Sequence, residues 1–234
     1  MTDIPYRIAL IVGAGSGISA SVARGLASAG LQVGLAARNV EKLAPLAAET
    51  RAQTFAVDSS DPAAVARLFE DAGRCLGEPD VVIYNAGSGP VRSPITELDP
   101  ETVRKSLEIN AYGGFLVVRQ AARRMIPHGR GAILLTGASA AVKGYPLSAT
   151  FAMGKFALRG LAQSTARELG PKGIHVAHFV IDGGVRNARR PDPADRPDST
   201  LDPDAIAQTY IEILRQPRSA WSLEVELRPW VETF

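Results

Sequence analysis

IVGAGSGISAS, residues 11–21, places Gly13, Gly15 and Gly17 between a short apolar run and a helical pattern. A turn this tight needs residues that tolerate positive φ and let another group approach the backbone closely. The helix that follows offers free N–H groups and the positive end of its dipole. Gly13, Gly15, Ser16, Gly17 and Ile18 therefore form a candidate cradle for the phosphates of a dinucleotide. Glycines alone could mark only a tight turn. The strand–turn–helix context at the head of an alternating chain carries the dinucleotide reading.

Outward from that turn, β-branched apolar runs alternate with longer helical patterns, the signature of parallel βαβ units. RIALIV (7–12), QVGLAA (32–37), TFAVD (54–58), DVVIYNAG (80–87), GAILLTG (131–137), IHVAHFVI (174–181) and LEVEL (223–227) read as strands. Helices are expected from the glycine turn to about 31, over 41–52, after Asp61-Pro62, over about 100–126, from the segment carrying Lys155 to about 169, and over about 203–215. Asp61 and Asp99, each followed by proline, have the chemistry of N-caps. Residues 186–203, RNARRPDPADRPDSTLDP, are charged, proline-rich and aperiodic, and read as a flexible surface loop beside the substrate. No repeat or second domain is visible. The expectation is one α/β domain over 1–234, a single doubly wound, Rossmann-like parallel sheet of about seven strands with helices on both faces.

The 234 residues carry 26 Lys+Arg against 24 Asp+Glu, a net charge of +2, which gives no electrostatic case for nucleic acid or a membrane surface. The N-terminal residues lack a basic segment followed by a long apolar run, and no stretch approaches the ~18 apolar residues of a membrane span. The single cysteine, Cys75, has no partner thiol within the chain, so a reduced, cytoplasmic setting is expected. His175 and His178 are three apart on a strand and face opposite ways, and no metal site is expected from them or from His128.

Further motifs give the chain a relative. YNAG at 84–87 is similar to the NNAG motif of the short-chain dehydrogenase/reductase family, and the chain resembles that family from about residue 6 to 185. Of its opening motif, TGxxxGxG, Gly13 and Gly17 match, Val12 stands for the threonine and Ser19 for the last glycine. The resemblance implies that Asn85, Ala86 and Gly87 flank a nicotinamide cofactor and that Asp58, with Ser59 beside it, meets the adenine. Gly183 and Val185, in IDGGV, would lie near the nicotinamide, although Asp182 replaces the family's proline. It also implies an active-site asparagine at Asn110, in EINAYGGF, and an active-site lysine at Lys155. Two members depart from the pattern: the serine position is Ala138 and the tyrosine position is Phe151. Ser139, one residue late, is a candidate carbonyl donor; Tyr145, on the same loop, lines the substrate pocket with Ala138 and Phe151.

Phenylalanine has no ionisable proton and cannot be a general acid or base. Two readings follow: an oxidoreductase acting on a small carbonyl or alcohol with atypical proton delivery, or a nucleotide-binding member that has lost turnover and serves as a sensor or scaffold. For the cofactor, the second strand ends in Ala37 rather than an acid, and Arg38 follows, a natural partner for a 2′-phosphate. NADP(H) is favoured over NAD(H), although Ser16 adds no second cation. Arg186, Arg189 and Arg190 read either as a solvated cluster or as a site for an anionic substrate. The resemblance also implies a homodimer or homotetramer built on the helices near 100–126 and 151–169.

Overall fold

In the computed structural model, which describes residues 3–187 and 190–233, seven strands form one parallel sheet in the order β3-β2-β1-β4-β5-β6-β7. They are β1 (Ile8–Val12), β2 (Gln32–Ala37), β3 (Gln53–Ala56), β4 (Val81–Tyr84), β5 (Gly131–Thr136), β6 (Ile174–Ile181) and β7 (Glu224–Leu227). Helices α1 (Ile18–Ser28), α2 (Ala44–Thr50), α3 (Pro62–Cys75), α4 (Pro100–Leu107), α5 (Gly113–Met125), α6 (Ala149–Leu169) and α7 (Pro203–Arg215) cover both faces. Alternation along each strand sorts side chains into two cores. Ala9 and Ile11 of β1 pack with Leu26 of α1 and Tyr210 of α7, while Leu10 and Val12 pack with Phe69 of α3, Val117 of α5 and Leu158 of α6. The single doubly wound sheet is thus the expected one. Its order reverses between β1 and β4, and such a switch point opens a crevice at the carboxyl ends of the strands.

β6 spans the predicted 174–181 and is buried at every residue, as a central parallel strand must be. Asp61 and Asp99 cap α3 and α4 by accepting from the N–H groups of Ala63, and of Glu101 and Thr102. The helix expected over 100–126 is interrupted. A π-helical turn, Glu108–Tyr112, inserts between α4 and α5, and apolar periodicity carries no mark of it. The segment over 41–52 starts as a 3₁₀ turn, Glu41–Leu43, and ends at Thr50 because Arg51 turns left-handed at φ 55°. α1 stops at Ser28, ahead of Gly30 at φ 86°.

Residues 186–203 are tied at several points. Val185 bridges Leu201, Arg186 pairs with Asp192 and Asp202, and Asp192 also accepts from the N–H groups of Asp198 and Thr200. Arg189 of the arginine cluster lies outside the described residues. Among the described residues no helix is long and apolar enough to cross a membrane, and no three His, Cys, Asp or Glu side chains gather as metal ligands.

Candidate active site

The crevice at the switch point is a cleft of about 440 Å³ lined by Gly13, Ala14, Gly15, Ser16, Arg38, Asp58, Ser59, Asn85, Ala86 and Gly87, among others. Its floor is main chain. Gly13 sits at φ 87°, and a Cβ there would stand 2.2 Å from the Ala86 nitrogen, so the β1 turn and the segment after β4 close up only around a glycine. Gly15 and Gly17 differ: a Cβ on either would meet nothing within 4 Å. The protein's own packing does not require those two glycines, and the space above them is open to a ligand. Ser19 accepts from the Gly15 N–H at 2.8 Å and so stiffens the loop from inside α1. Gly17 and Ile18 head α1, whose N-terminus carries no side-chain cap.

At the cleft's far wall, Asp58 accepts from the Ser60 N–H and hydroxyl, and the hydroxyl chiefly holds its carboxyl below the usual range. Arg38 lies close enough to add to that effect. Lys42, in the 3₁₀ turn Glu41–Leu43, also lines the cleft. Sequence reasoning does not single out Lys42, because nothing local separates it from a solvated lysine at a helix start.

The chemical end of the site is built on the π turn. Asn110 is fully buried there; its amide donates to the Ser106 carbonyl at 3.0 Å and to the Ser88 hydroxyl at 2.7 Å. Its Oδ1 is buried without a partner. Tyr84, in place of the first asparagine of NNAG, donates its hydroxyl to the Ile109 carbonyl and thereby ties β4 to the π turn. Burial pushes that phenol up to about 12, so it is a neutral strut at physiological pH. Gly154 lets α6 come close, since a Cβ there would stand 2.5 Å from the Asn110 Cβ.

Lys155, on α6, is 5% exposed and donates from Nζ to the Thr136 carbonyl at 3.0 Å. Desolvation lowers its pKa to about 8. Lys155 and Asn110 converge on Gly87. A Cβ on that glycine would lie 3.0 Å from Asn110 Oδ1 and 3.4 Å from Lys155 Nζ. The sequence named these three residues without their convergence, because the π turn that aims Asn110 leaves no periodic signal.

Phe151, one turn before Lys155, presents its ring to the ammonium, with Nζ 5.6 Å from the ring centroid. That geometry suits a weak cation–π contact and offers no proton. Ser139 opens a 3₁₀ turn, Ser139–Ala141, that packs on α6. Ala138 precedes that turn in extended conformation, and Tyr145 is half exposed on the same loop. Asp182 is buried and pairs with Lys143 of that loop at 3.3 Å, an ion pair across the ends of β5 and β6. Gly183 and Val185 follow, outside the glycine cleft. Gly183 is at φ 137° with Pro229 packed against it, and Val185 is held by its bridge to Leu201.

The profile of the short chain dehydrogenase family matches residues 7–189. L-2,3-butanediol dehydrogenase of Corynebacterium glutamicum is 30% identical over 188 residues, which cover 76% of this chain and 72% of that protein. A crystal structure of a short-chain dehydrogenase from Rhodopseudomonas palustris is 37% identical, with a TM-score of 0.82 over 96% of this chain and 99% of that one. A metagenomic short-chain oxidoreductase in complex with NADP is 27% identical, with a TM-score of 0.85 over 99% of this chain and all of that one. With its Rossmann-like sheet, its glycine turn and these relatives, the chain belongs to the short-chain dehydrogenase/reductase family of oxidoreductases.

Proposed function

We propose that the protein is an NADP(H)-dependent oxidoreductase for a small carbonyl or alcohol, and that Lys155 rather than a tyrosine delivers the proton. The convergence of Lys155 Nζ and the unpartnered Asn110 Oδ1 on Gly87 carries this reading. The residues present fit the dinucleotide. Gly15 and Gly17 leave room for phosphates, and the N-terminus of α1 next to them carries no side-chain cap, so its N–H groups remain to be used. Arg38 and Lys42 supply two cations for a 2′-phosphate, and Asp58 and Ser59 lie beside the adenine end. NADP is the ligand of one similar structure, which supports the same choice.

When bound, NADPH supplies the hydride. Lys155 supplies the proton from Nζ, since burial brings its pKa to about 8 and leaves it mostly charged yet acidic at neutral pH. Asn110 Oδ1 is the acceptor that orients a water or substrate hydroxyl beside that ammonium. Phe151 covers the lysine with an apolar ring and excludes bulk water. Ser139 is the candidate donor to the substrate carbonyl. The end of the π turn and the outward faces of α5 and α6 expose Tyr112, Phe115, Met153 and Phe156, which supports a homodimer or homotetramer.

A second reading rests on Phe151: a site without an ionisable group there could bind the nucleotide as a sensor or scaffold and turn nothing over. Consumption of NADPH and NADH over a panel of aldehydes, ketones and α-dicarbonyls separates the two. Enzyme-dependent oxidation of NADPH ahead of NADH is expected. Tight NADPH binding with no turnover of any carbonyl would favour the second reading.

A further inference from the structure

His178 of β6, Glu224 of β7 and Arg159 of α6 form a polar cluster to which the proposed chemistry gives no role. His178 is 1% exposed on β6, on the sheet face that α6 covers. Its Nδ1 is 3.3 Å from Glu224 Oε2 on β7, and Arg159 of α6 grips both oxygens of that carboxylate at 2.7 Å. Lys155 and Arg159 are one helical turn apart, so both reach from α6 toward β6 and β7. The other imidazole nitrogen, Nε2, is buried without a partner. It fills the space beside Gly137, where a Cβ would come within 2.2 Å of it. Gly137 directly follows Thr136, whose carbonyl holds Lys155 Nζ. Orphaned polar atoms in a folded interior are rare; Asn110 Oδ1 shares the Gly87 corner with Lys155, and His178 Nε2 lies near enough to the lysine to feel its charge.

We propose that the His178–Glu224 dyad is the positioning element that keeps Lys155 protonated. The Glu224 carboxylate fixes the imidazole proton on Nδ1, which leaves Nε2 as an unpartnered lone pair beside Gly137, the residue next to the Thr136 carbonyl that holds the ammonium. A neutral imidazole polarised by a carboxylate offsets part of the cost of burying a cation without adding a second unpaired charge. His178 itself stays neutral: burial lowers its pKa to about 4, the neighbouring Lys155 and Arg159 push the same way, and Glu224 opposes them. These three are the charged groups that face it from α6 and β7. The dyad acts through Lys155 and touches no reacting atom, and its role in turnover rests on the lysine being the proton donor.

The test needs no substrate. The titration of Lys155 is followed by NMR of isotope-labelled lysine in the cofactor-free full chain, for the unmodified protein, His178→Leu and Glu224→Gln. The titration is expected to move to lower pH by about one unit in His178→Leu, a tenfold loss of ammonium relative to amine, since one pKa unit is one decade. Glu224→Gln should shift it the same way by less. Glu224 is partly exposed, so that variant should fold even where His178→Leu does not. An unmoved titration in Glu224→Gln, or in a folded His178→Leu, would overturn the proposal. A shift in Glu224→Gln with none in His178→Leu would assign the effect to the unneutralised Arg159 and would equally overturn the imidazole's part. Because the readout is a titration, failure of carbonyl turnover cannot be confused with failure of the dyad.

Discussion

The two ends of the crevice are built from different materials. The cofactor end is main chain: glycines, the open N-terminus of α1, and the segment after β4 pressed against Gly13. The chemical end is side chain: Asn110 hung from a π turn, Lys155 threaded under Thr136, and a phenylalanine over the ammonium. Main-chain recognition depends on conformation and clearance. Side-chain chemistry depends on which atom ionises and what surrounds it. The first tolerates drift in sequence as long as glycines stay where φ or clearance demands them. The second changes its chemistry with a single residue.

The sharpest break between the two ends comes from removing the lysine's charge. Lys155→Met should lower kcat by ~10²–10⁴-fold, the usual worth of positioned proton transfer, while the Kd for NADPH rises far less. Stopped-flow hydride transfer beside equilibrium titration of the cofactor checks both. Equal losses in rate and binding would make Lys155 a ribose anchor rather than a proton donor.

At the cofactor end, the glycines should separate by role. Gly13→Ala meets both a positive φ and the Ala86 backbone, and should cost ~3 kcal/mol or more of stability. Gly15→Ala meets open space and should leave stability within ~1 kcal/mol, with NADPH binding weakened about tenfold, or ~1.4 kcal/mol. Thermal melts and fluorescence titration of the two variants decide it, and a large loss of stability in Gly15→Ala would mean that its loop is packed rather than open.

These differences mark what could be read before folding. Gly13, Asn85 and the alternation of strands speak through local rules, so the sheet, the switch-point cleft and most of the residues that line it were legible. Lys42 was not legible, since nothing local distinguishes it from a solvated lysine. The π turn at 108–112 was hidden because its cause is tertiary: Tyr84 satisfies the Ile109 carbonyl from another strand. His178 looked like a strand histidine with no partner because Glu224 and Arg159 lie 46 and 19 residues away in sequence. Burial, which sets the acidity of Lys155, has no signature at position 155 itself.

A smaller effect concerns the 2′-phosphate. Arg38→Ala should weaken NADPH binding by about 10- to 100-fold, as expected for losing a charge-assisted hydrogen bond of ~1.5–3 kcal/mol, and leave NADH binding unchanged. Equal losses for both nucleotides would place Arg38 outside the phosphate site. A separate effect is the pH dependence of stability. Burial lowers the Lys155 pKa in the folded protein to about 8, from 10.5 for a free lysine, so between these values the unfolded chain binds more protons than the folded one. Burial of this lysine therefore costs most below pH 8, and the cost fades as pH rises toward 10.5. Relative to Lys155→Met, the unmodified protein should gain stability across that window in denaturant melts; a flat difference would mean that the amine is already solvated.

The most direct measurement is the rate of NADPH oxidation against a reactive α-dicarbonyl, followed from neutral to alkaline pH for the unmodified protein, Lys155→Met and Phe151→Tyr. With Lys155 as the donor, the unmodified protein turns over, its rate falls as pH rises through about 8 with loss of the ammonium, and the methionine variant loses both the rate and the pH step. A rate indifferent to pH and to Lys155, or one that exists only after Phe151→Tyr, would contradict proton delivery by the lysine.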